Sequence, residues 1–195
     1  MSKIIGLTGG IGSGKTTISN YLISLGLPVY IADDAGRKVM QQQEILEAIK
    51  EKFGSDIFEE GQLNRTKLAK IVFDNSEQLK ELNAIVHPAV RMDFKDWLVQ
   101  NQKSPFVFYE SAILFESGRY ADFDTIITIT APLEVRISRV LQRDSVSREQ
   151  VLSRINAQWT DEQRICKSDV VIENTNIDSA KKEIDNFLKI LSINQ

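Results

Sequence analysis

Short apolar runs and amphipathic stretches take turns along much of the chain, a rhythm that predicts strands alternating with helices. Five short apolar runs are predicted strands, at residues 4–8, 28–32, 106–109, 125–130 and 169–172. Amphipathic patterns predict helices at residues 16–25, 133–143, 145–164 and 178–191. Strands joined by helical crossovers favour a parallel sheet with helices on both faces. The expected fold class is therefore α/β.

The alternation stops between residues 35 and 102. Four helical patterns fill this stretch without a convincing strand, at residues 44–53, 65–73, 77–86 and 89–102, with turns at 54–61 and 74–76. Such a helical insertion is long enough to hold a second substrate. We expect one domain over residues 1–195, with a core of 1–34, 103–135 and 167–195, a helical acceptor-binding insertion at 35–102 and a lid at 136–166.

Composition narrows the class of protein. The chain has 195 residues, 42% of them hydrophobic and 26% charged, which is ordinary for a globular domain. A net charge of −3 argues against a general binder of nucleic acid or of membrane surfaces. The single cysteine, Cys166, excludes an internal disulfide framework. No signal peptide or apolar run of about 20 residues is present, so we expect a cytoplasmic enzyme. We also expect a monomer, with an oligomer as the alternative.

One segment carries a specific chemical signal. Gly9, Gly14, Lys15 and Thr16 match the pattern G-x-x-x-x-G-K-[ST] between a predicted strand and a predicted helix. Glycines let successive N–H groups point at one anion, and the helix adds its positive end. The pattern predicts ATP and Mg²⁺ as ligands, with Lys15 at the β- and γ-phosphates and Thr16 on the metal. The ATP-binding residues expected here are Gly10, Gly12, Ser13, Gly14, Lys15, Thr16 and Thr17.

A carboxylate follows the second predicted strand. Asp33 lies at the carboxyl end of that strand, the edge where open α/β sheets bind ligands. There it could accept the proton of an attacking hydroxyl group as a general base. We assign Asp33 to chemistry and Asp34 to capping the next helix, although a capped turn would explain both. Residues 33–36 also spell the D-x-x-G of GTPase switches, but the chain has no N-K-x-D guanine signature.

A second carboxylate, Glu110, ends the third predicted strand. In this position it would suit a Mg²⁺ contact through water, and an exposed strand-end glutamate is the alternative. The apolar stretch that follows, at residues 111–116, either lines a ligand wall, with Leu114 against the substrate, or belongs to the core.

Arginines cluster in the predicted lid. Residues 133–166 hold six of the ten arginines and none of the fourteen lysines. The planar guanidinium group binds phosphate oxygens in pairs. Arg136, Arg139 and Arg143 share one helical face by their spacing, and Arg139 and Arg143 are the strongest candidates for the triphosphate. A solvated face paired with neighbouring carboxylates would explain the cluster equally simply.

Three weaker candidates complete the set. His87, before Pro88, either bonds to substrate or marks the start of a helix with proline at its first position. Arg91, one turn further on, could meet a substrate phosphate. Asn174 follows the last predicted strand, where a loop can contact adenine through its backbone, although an Asn-rich turn needs no ligand.

These features together resemble the dephospho-coenzyme A kinase family over nearly the whole chain. The matching segments are L-T-G-G-I-G-S-G-K from Leu7, A-D at Asp33, H-P at His87, I-L-F-E from Ile113, R-V-L-Q-R-D from Arg139, R-I-N-A-Q from Arg154 and D-V-V-I-E-N from Asp169. The resemblance implies a P-loop NTPase fold like that of nucleoside-monophosphate kinases. It also implies transfer of the ATP γ-phosphate to the 3′-hydroxyl of dephospho-CoA.

The same resemblance assigns roles to residues. Asp33 would be the base and Lys15 and Arg139 the catalytic charge stabilisers. Substrate contacts are expected at Thr8, Asp33, His87, Arg91, Glu110 and Leu114. Glu110 stands where the family usually has aspartate, and Asn176 where glycine is common.

Two other functions fit part of this pattern. The chain could be another small-molecule kinase with a P-loop, of the nucleoside-monophosphate or shikimate type, although it lacks a Gly-Gly-Gly run and an Asp-Gly-x-Pro-Arg motif. It could also be a non-catalytic protein that uses nucleotide binding as a switch.

Overall fold

The computed structural model describes residues 2–73 and 75–193. The strands in these residues are β1 (Lys3–Thr8), β2 (Val29–Ile31), β3 (Phe58–Glu59), β4 (Gln62–Leu63), β5 (Phe106–Glu110), β6 (Thr125–Thr130) and β7 (Val170–Glu173). The α-helices are α1 (Lys15–Ser24), α2 (Ala32–Val39), α3 (Gln43–Phe53), α4 (Arg65–Phe73), α5 (Ser76–Gln100), α6 (Leu133–Arg143), α7 (Arg148–Asn156), α8 (Asp161–Ile165) and α9 (Ile177–Ile193).

The chain divides into two compact units. The first contains the residues up to Tyr30 and those from Asn101 onward, and the second contains Ile31–Gln100. The first unit is built on a five-stranded parallel sheet in the order β2-β5-β1-β6-β7. The expected α/β class with a parallel sheet is confirmed.

Side-chain alternation along the strands produces the main core. Ile5 and Leu7 of β1 point to the same face as Ile127 and Ile129 of β6, and all four are fully buried. Helices α1 and α9 cover this face through Ile18, Leu22, Ala180 and Ile184. The sheet therefore holds the start of α1 firmly at the carboxyl end of β1.

The opposite face of the sheet packs against the segment that follows β5. Leu114 and Phe115 form a buried cluster with Ile126, with Phe123 and Trp159 packed against it. Gly6 makes room for this cluster, because a Cβ at Gly6 would lie 2.8 Å from Leu114 Cδ1. Leu114 and Phe115 are therefore core, with Leu114 1% exposed, whereas Ile113 is 38% exposed. The substrate contact predicted for Leu114 stays a prediction.

The second unit has its own core, formed by Ile49, Ile57, Leu68 and Val72. Its helices were expected, but it also contains an antiparallel hairpin, in which Phe58 pairs with Leu63 and Glu59 with Gln62. The expectation of an insertion without strands is therefore wrong. Two-residue strands are too short to produce a detectable alternation of polar and apolar residues.

Two helix boundaries in the second unit also differ from expectation. A single helix, α5, spans the two helices predicted on either side of Pro88. Val86, Val90 and Phe94 are buried at a spacing of four residues across the proline, so packing outweighs the hydrogen bond that proline removes. The interpretation of His87-Pro88 as a helix start is therefore wrong.

The second difference concerns the start of α2. This helix begins at Ala32, with Ile31 at the N-cap position and no capping side chain. Asp33 and Asp34 both lie in its first turn, where carboxylates are favoured by the helix dipole. The prediction of Asp34 as the capping residue is wrong.

The polar stretch predicted as helical at residues 145–164 forms two short helices. Ser147 caps α7 and Thr160 caps α8, each with a reciprocal bond to the glutamine three residues later. These capping boxes fix both helix starts, and the two helices are joined by a short connection.

Candidate active site

The glycine-rich segment between β1 and α1 forms a tight loop. Gly12 and Gly14 adopt φ angles of +79° and +94°, a left-handed backbone that residues with a Cβ rarely adopt. At Gly14 an added Cβ would also collide with the side-chain amide of Asn174. Glycine is therefore required at Gly14 both by conformation and by space.

Side chains bind the carbonyl groups of this loop. Lys15 Nζ donates to the Gly9 carbonyl at 2.8 Å, and Arg136 Nε donates to the Ile11 carbonyl at 2.9 Å. Ser13 accepts on its carbonyl from Asn174 Nδ2 at 2.9 Å and from Arg139 Nη1 at 3.4 Å. Two N–H groups of the loop also have acceptors: Ile11 donates to Gln158 at 2.9 Å and Ser13 to the Gly10 carbonyl at 3.1 Å. Together these bonds hold the loop in a tight turn of the kind that binds anions.

The first residues of α1 complete this cradle. Lys15 is 8% exposed, whereas Thr16 and Thr17 are exposed at the surface. The first N–H groups of a helix have no acceptor within it and carry its positive partial charge. The loop and the start of α1 therefore form an electropositive concavity suited to phosphate groups.

Three buried polar atoms next to this concavity have no hydrogen-bond partner among the described residues: Thr8 Oγ1, Ser13 Oγ and Asn174 Oδ1. Thr8 is fully buried at the end of β1 and Asn174 is 2% exposed. Leaving a buried polar atom unpaired costs roughly 1–3 kcal/mol, and such atoms cluster at sites completed by a ligand or by water. The direct substrate contact predicted for Thr8 stays a prediction.

The carboxylate of Glu110 lies at the end of β5, where it is 5% exposed. Ser19 of α1 donates a hydrogen bond of 3.1 Å to its Oε2. The alternative of an exposed strand-end glutamate is therefore wrong. β5 is the direct parallel neighbour of β1, with Glu110 opposite Leu7, so this carboxylate belongs to the same sheet edge as the phosphate loop.

Arg139 is the predicted lid arginine that reaches Asn174 and the loop. Besides Ser13, its guanidinium contacts the carbonyls of Asn174 at 2.8 Å and Gly12 at 3.5 Å. Arg143 donates two bonds to Asp144 instead, at 2.8 and 3.1 Å. Arg139 therefore lies against the loop, whereas Arg143 is bound to Asp144. The contact of both residues with the triphosphate stays a prediction.

The remaining arginines of residues 133–166 separate into two groups. Arg148 pairs with Glu134 and Arg154 with Asp144, both at the surface. The hydrogen bond from Arg143, reinforced by Arg154, holds the pKa of the Asp144 carboxyl below its usual range. Arg136 and Arg164 are buried at 5% and 0% exposure. The Arg-rich lid itself stays a prediction.

The second unit carries the other predicted site residues. Asp33 is exposed in the first turn of α2, and its neighbour Asp34 pairs with Arg37 at 2.7 Å. His87 is partly buried and Arg91 exposed, both on α5. Their spacing of four residues places them on the same side of that helix.

Sequence reasoning missed the residues that hold the loop from outside. The side chain of Asn174 braces Ser13, and Gln158 accepts a bond of 2.9 Å from the Ile11 N–H. The R-I-N-A-Q segment contained this signal, since it was part of the matching pattern without an assigned role. The contact of the Asn174 loop with adenine through its backbone stays a prediction.

Comparison with known proteins decides the family. A family model described as dephospho-CoA kinase matches residues 3–179. The chain belongs to the dephospho-CoA kinase family. A dephospho-CoA kinase of Bacteroides fragilis is 37% identical over 193 residues, covering 98% of this chain and 93% of the relative. The corresponding protein of Fusobacterium nucleatum is 38% identical over 190 residues, covering 96% and 98%.

Two solved structures are similar to this chain. The crystal structure of TT1252 from Thermus thermophilus is 37% identical, with a TM-score of 0.88 over 97% of this chain and 98% of that one. A shikimate kinase from Acinetobacter baumannii is 16% identical with a TM-score of 0.53, covering 100% and 96%. The latter likeness shows the P-loop kinase fold alone.

As a member of the dephospho-CoA kinase family, the chain is a kinase, and ATP is its co-substrate. Its described residues include no helix that is long and apolar enough to cross a membrane. They also contain no group of three or more histidine, cysteine or carboxylate side chains that could hold a metal ion by themselves.

Proposed function

We propose that this chain transfers the γ-phosphoryl group of ATP to the 3′-hydroxyl of dephospho-CoA, giving coenzyme A and ADP, the last step of coenzyme A synthesis. The observation that carries the proposal is the loop whose carbonyls are bound by side chains, next to Lys15. This geometry fits the β- and γ-phosphates of ATP. Family membership supports dephospho-CoA as acceptor in preference to shikimate or a nucleoside monophosphate.

In the proposed reaction Asp33 is the general base. Its carboxylate takes the proton of the 3′-hydroxyl as the oxygen bonds to the γ-phosphorus, and the bond from that phosphorus to the β,γ-bridging oxygen breaks. The Asp33 carboxylate is exposed in the first turn of α2, so a substrate hydroxyl group can reach it. Asp34 is less suited because Arg37 binds it.

Lys15 and Arg139 would stabilise the charge that develops during transfer. The Lys15 ammonium has three donors, so it can keep the Gly9 carbonyl while it binds a phosphate oxygen. Arg139 sits against the loop and has five donors. Gly10, Gly12, Ser13, Gly14, Thr16 and Thr17 would contribute N–H groups and hydroxyls to the phosphates.

Mg²⁺ fits the residues at this edge of the sheet. It prefers oxygen ligands and takes one or two protein groups together with substrate phosphates and water. Thr16 offers an exposed hydroxyl group, and Glu110 offers a carboxylate already oriented by Ser19. When bound there, the ion would neutralise charge on the β- and γ-phosphates.

The second unit would bind the acceptor. His87 and Arg91 on one side of α5 are the proposed contacts, with Arg91 suited to a phosphate group of dephospho-CoA. We further propose that the protein acts as a cytoplasmic monomer.

An ADP-release assay over several acceptors tests the proposal. We expect turnover with dephospho-CoA and little with shikimate or nucleoside monophosphates. Turnover only with one of the latter would reassign the acceptor. ATP binding without acceptor-dependent hydrolysis would favour the nucleotide switch.

A further inference from the structure

The buried arginine of α6, Arg136, is not used in the phosphoryl transfer described above. Its side chain is 6% exposed, and two bonds fix its orientation. Nε donates to the Ile11 carbonyl at 2.9 Å, and Nη1 donates to Asp161 at 2.8 Å. A planar guanidinium that bonds along two edges cannot be replaced by the single point charge of lysine without losing one of these bonds.

The peptide that Arg136 holds is at the tip of the phosphate loop. The Ile11 N–H donates to Gln158 at 2.9 Å, so side chains bind both the N–H and the carbonyl of this residue. The Ile11 side chain packs against the buried cluster formed by Ile137, Val140 and Val151. The loop is thus attached to the segment from α6 to Gln158 by hydrogen bonds and by apolar contact.

Glycines allow this close attachment. A Cβ at Gly10 would collide with the Arg136 guanidinium, and one at Gly12 would lie 2.5 Å from the Arg136 carbonyl. The loop therefore follows the shape of Arg136 on two sides, and a shift of this residue would move the loop backbone.

Asp161 is itself held in place. Arg164, fully buried, lies 3.4 Å from Asp161 and 3.0 Å from Glu116. Ion pairs thus connect Glu116 to the loop through Arg164, Asp161 and Arg136. Buried ion pairs contribute little net stability compared with apolar packing, so their geometric effect on the loop is the more informative property.

We propose that Arg136 is a positioning residue for nucleotide binding, which holds the Ile11 peptide so that the phosphate loop is preformed, and that Asp161 orients Arg136 for this purpose. The proposal rests on the proposed function only in that the loop binds the phosphates of ATP. A preformed loop has less ordering to undergo when the nucleotide binds, which strengthens affinity.

The variant Arg136→Lys tests this with calorimetric ATP titration in the absence of acceptor. We expect the Kd for ATP to rise about tenfold, as loss of a charged hydrogen bond would produce. The KM for dephospho-CoA should stay within about twofold, since the positioning acts on the loop. The matched control is Arg148→Lys, the same change in a surface ion pair with Glu134, and its Kd should equal that of the wild type.

Asp161→Asn and the double variant extend the test. The asparagine keeps the shape of the side chain, so this variant decides the question if Arg136→Lys does not fold. We expect Asp161→Asn to raise the Kd for ATP as well. The Kd of the double variant should not exceed that of the single variant that binds ATP less tightly, because the two residues act as a unit.

Four results would overturn the proposal: an ATP Kd within about twofold of the wild type in both single variants, a lower Tm with unchanged Kd, an equal loss in Arg148→Lys, or fully additive losses. The titration uses ATP without acceptor, so its result does not depend on which acceptor the enzyme phosphorylates. If the wild type fails to use dephospho-CoA, the proposed function fails while the role of Arg136 is still decided.

Discussion

The guanidinium of Arg139 donates a hydrogen bond of 2.8 Å to the main-chain carbonyl of Asn174, and the side chain of Asn174 in turn binds Ser13 of the phosphate loop. A helix that follows β6 and a loop that follows β7 thereby converge on one turn of backbone. Arg139 therefore supports the loop, next to the position that we propose for the phosphates of ATP.

Arg139→Lys should lower kcat more than it lowers stability. Lysine keeps the positive charge but cannot contact the loop and Asn174 with one planar fork. We expect kcat to fall by at least about tenfold, corresponding to about 1.4 kcal/mol of transition-state stabilisation, with a small change in Tm. Steady-state kinetics and thermal unfolding measure the two effects.

Arg143→Lys is the control for this change, because Arg143 is bound to Asp144 at the surface. Its kcat should be close to that of the wild type. A loss of kcat in Arg143→Lys as large as in Arg139→Lys would restore the interpretation in which both arginines bind the triphosphate.

Gly14→Ala should abolish ATP binding. The new Cβ would collide with Asn174 in addition to straining a backbone at φ +94°. Gly26→Ala isolates the strain, since Gly26 has φ +78° and open space where its Cβ would be.

The two glycine variants differ in a measurable way. Left-handed backbone costs about 1–2 kcal/mol for a residue with a Cβ, so urea unfolding should show a loss of that order in Gly26→Ala, with unchanged ATP affinity. If Gly14→Ala resembles Gly26→Ala in both measurements, the contact between Gly14 and Asn174 is not needed for binding.

Asp33→Asn should lower kcat by about 10²- to 10⁴-fold, the usual contribution of a general base. The Kd for ATP should change little, because the proposed base acts on the acceptor hydroxyl group and not on the binding of the phosphates. Asp34→Asn, the same change one residue along the helix, is the control and should keep most of the activity. Equal kcat in Asp33→Asn and the wild type would remove Asp33 from the role of base.

Asp144 should make stability depend on pH in the acid range. Its pKa is lowered in the folded state by hydrogen bonding to Arg143, with a contribution from Arg154. The unfolded chain therefore binds a proton more readily, so the contribution is complete above the unfolded pKa of about 3.9 and is lost as pH falls through the folded value.

Urea unfolding of the wild type and of Asp144→Asn checks this dependence. The wild type should be the more stable at neutral pH, and the difference should shrink steadily below about pH 4. A difference that is the same at neutral pH and at the acid end would contradict the assignment.

Local patterns predicted part of this molecule well. The phosphate loop and the helix after it follow from a contiguous motif. β6 occupies the predicted residues 125–130 because all six of its residues are β-branched, which favours a strand. By contrast, α5 continues through Pro88 because burial of Val86 and Val90 stabilises the helix by more than the missing hydrogen bond at the proline destabilises it. No pattern within the helix contains that information.

The same limit applies to the site. The spacing of Arg136, Arg139 and Arg143 correctly indicates neighbouring positions on α6, but not which residue turns inward. Arg136 is buried because its acceptors, Ile11 and Asp161, lie 125 residues before it and 25 residues after it in the chain. Such partners become visible only when distant segments are brought together.

The bond between Asn174 and Ser13 spans 161 residues, and this has a consequence for protein synthesis. During synthesis the phosphate loop is made well before Asn174, one of the groups that shape it. An N-terminal fragment that stops before Asn174 would carry the complete glycine-rich motif without its bracing amide. Newly made chains should therefore gain nucleotide affinity late, after β7 has joined the sheet.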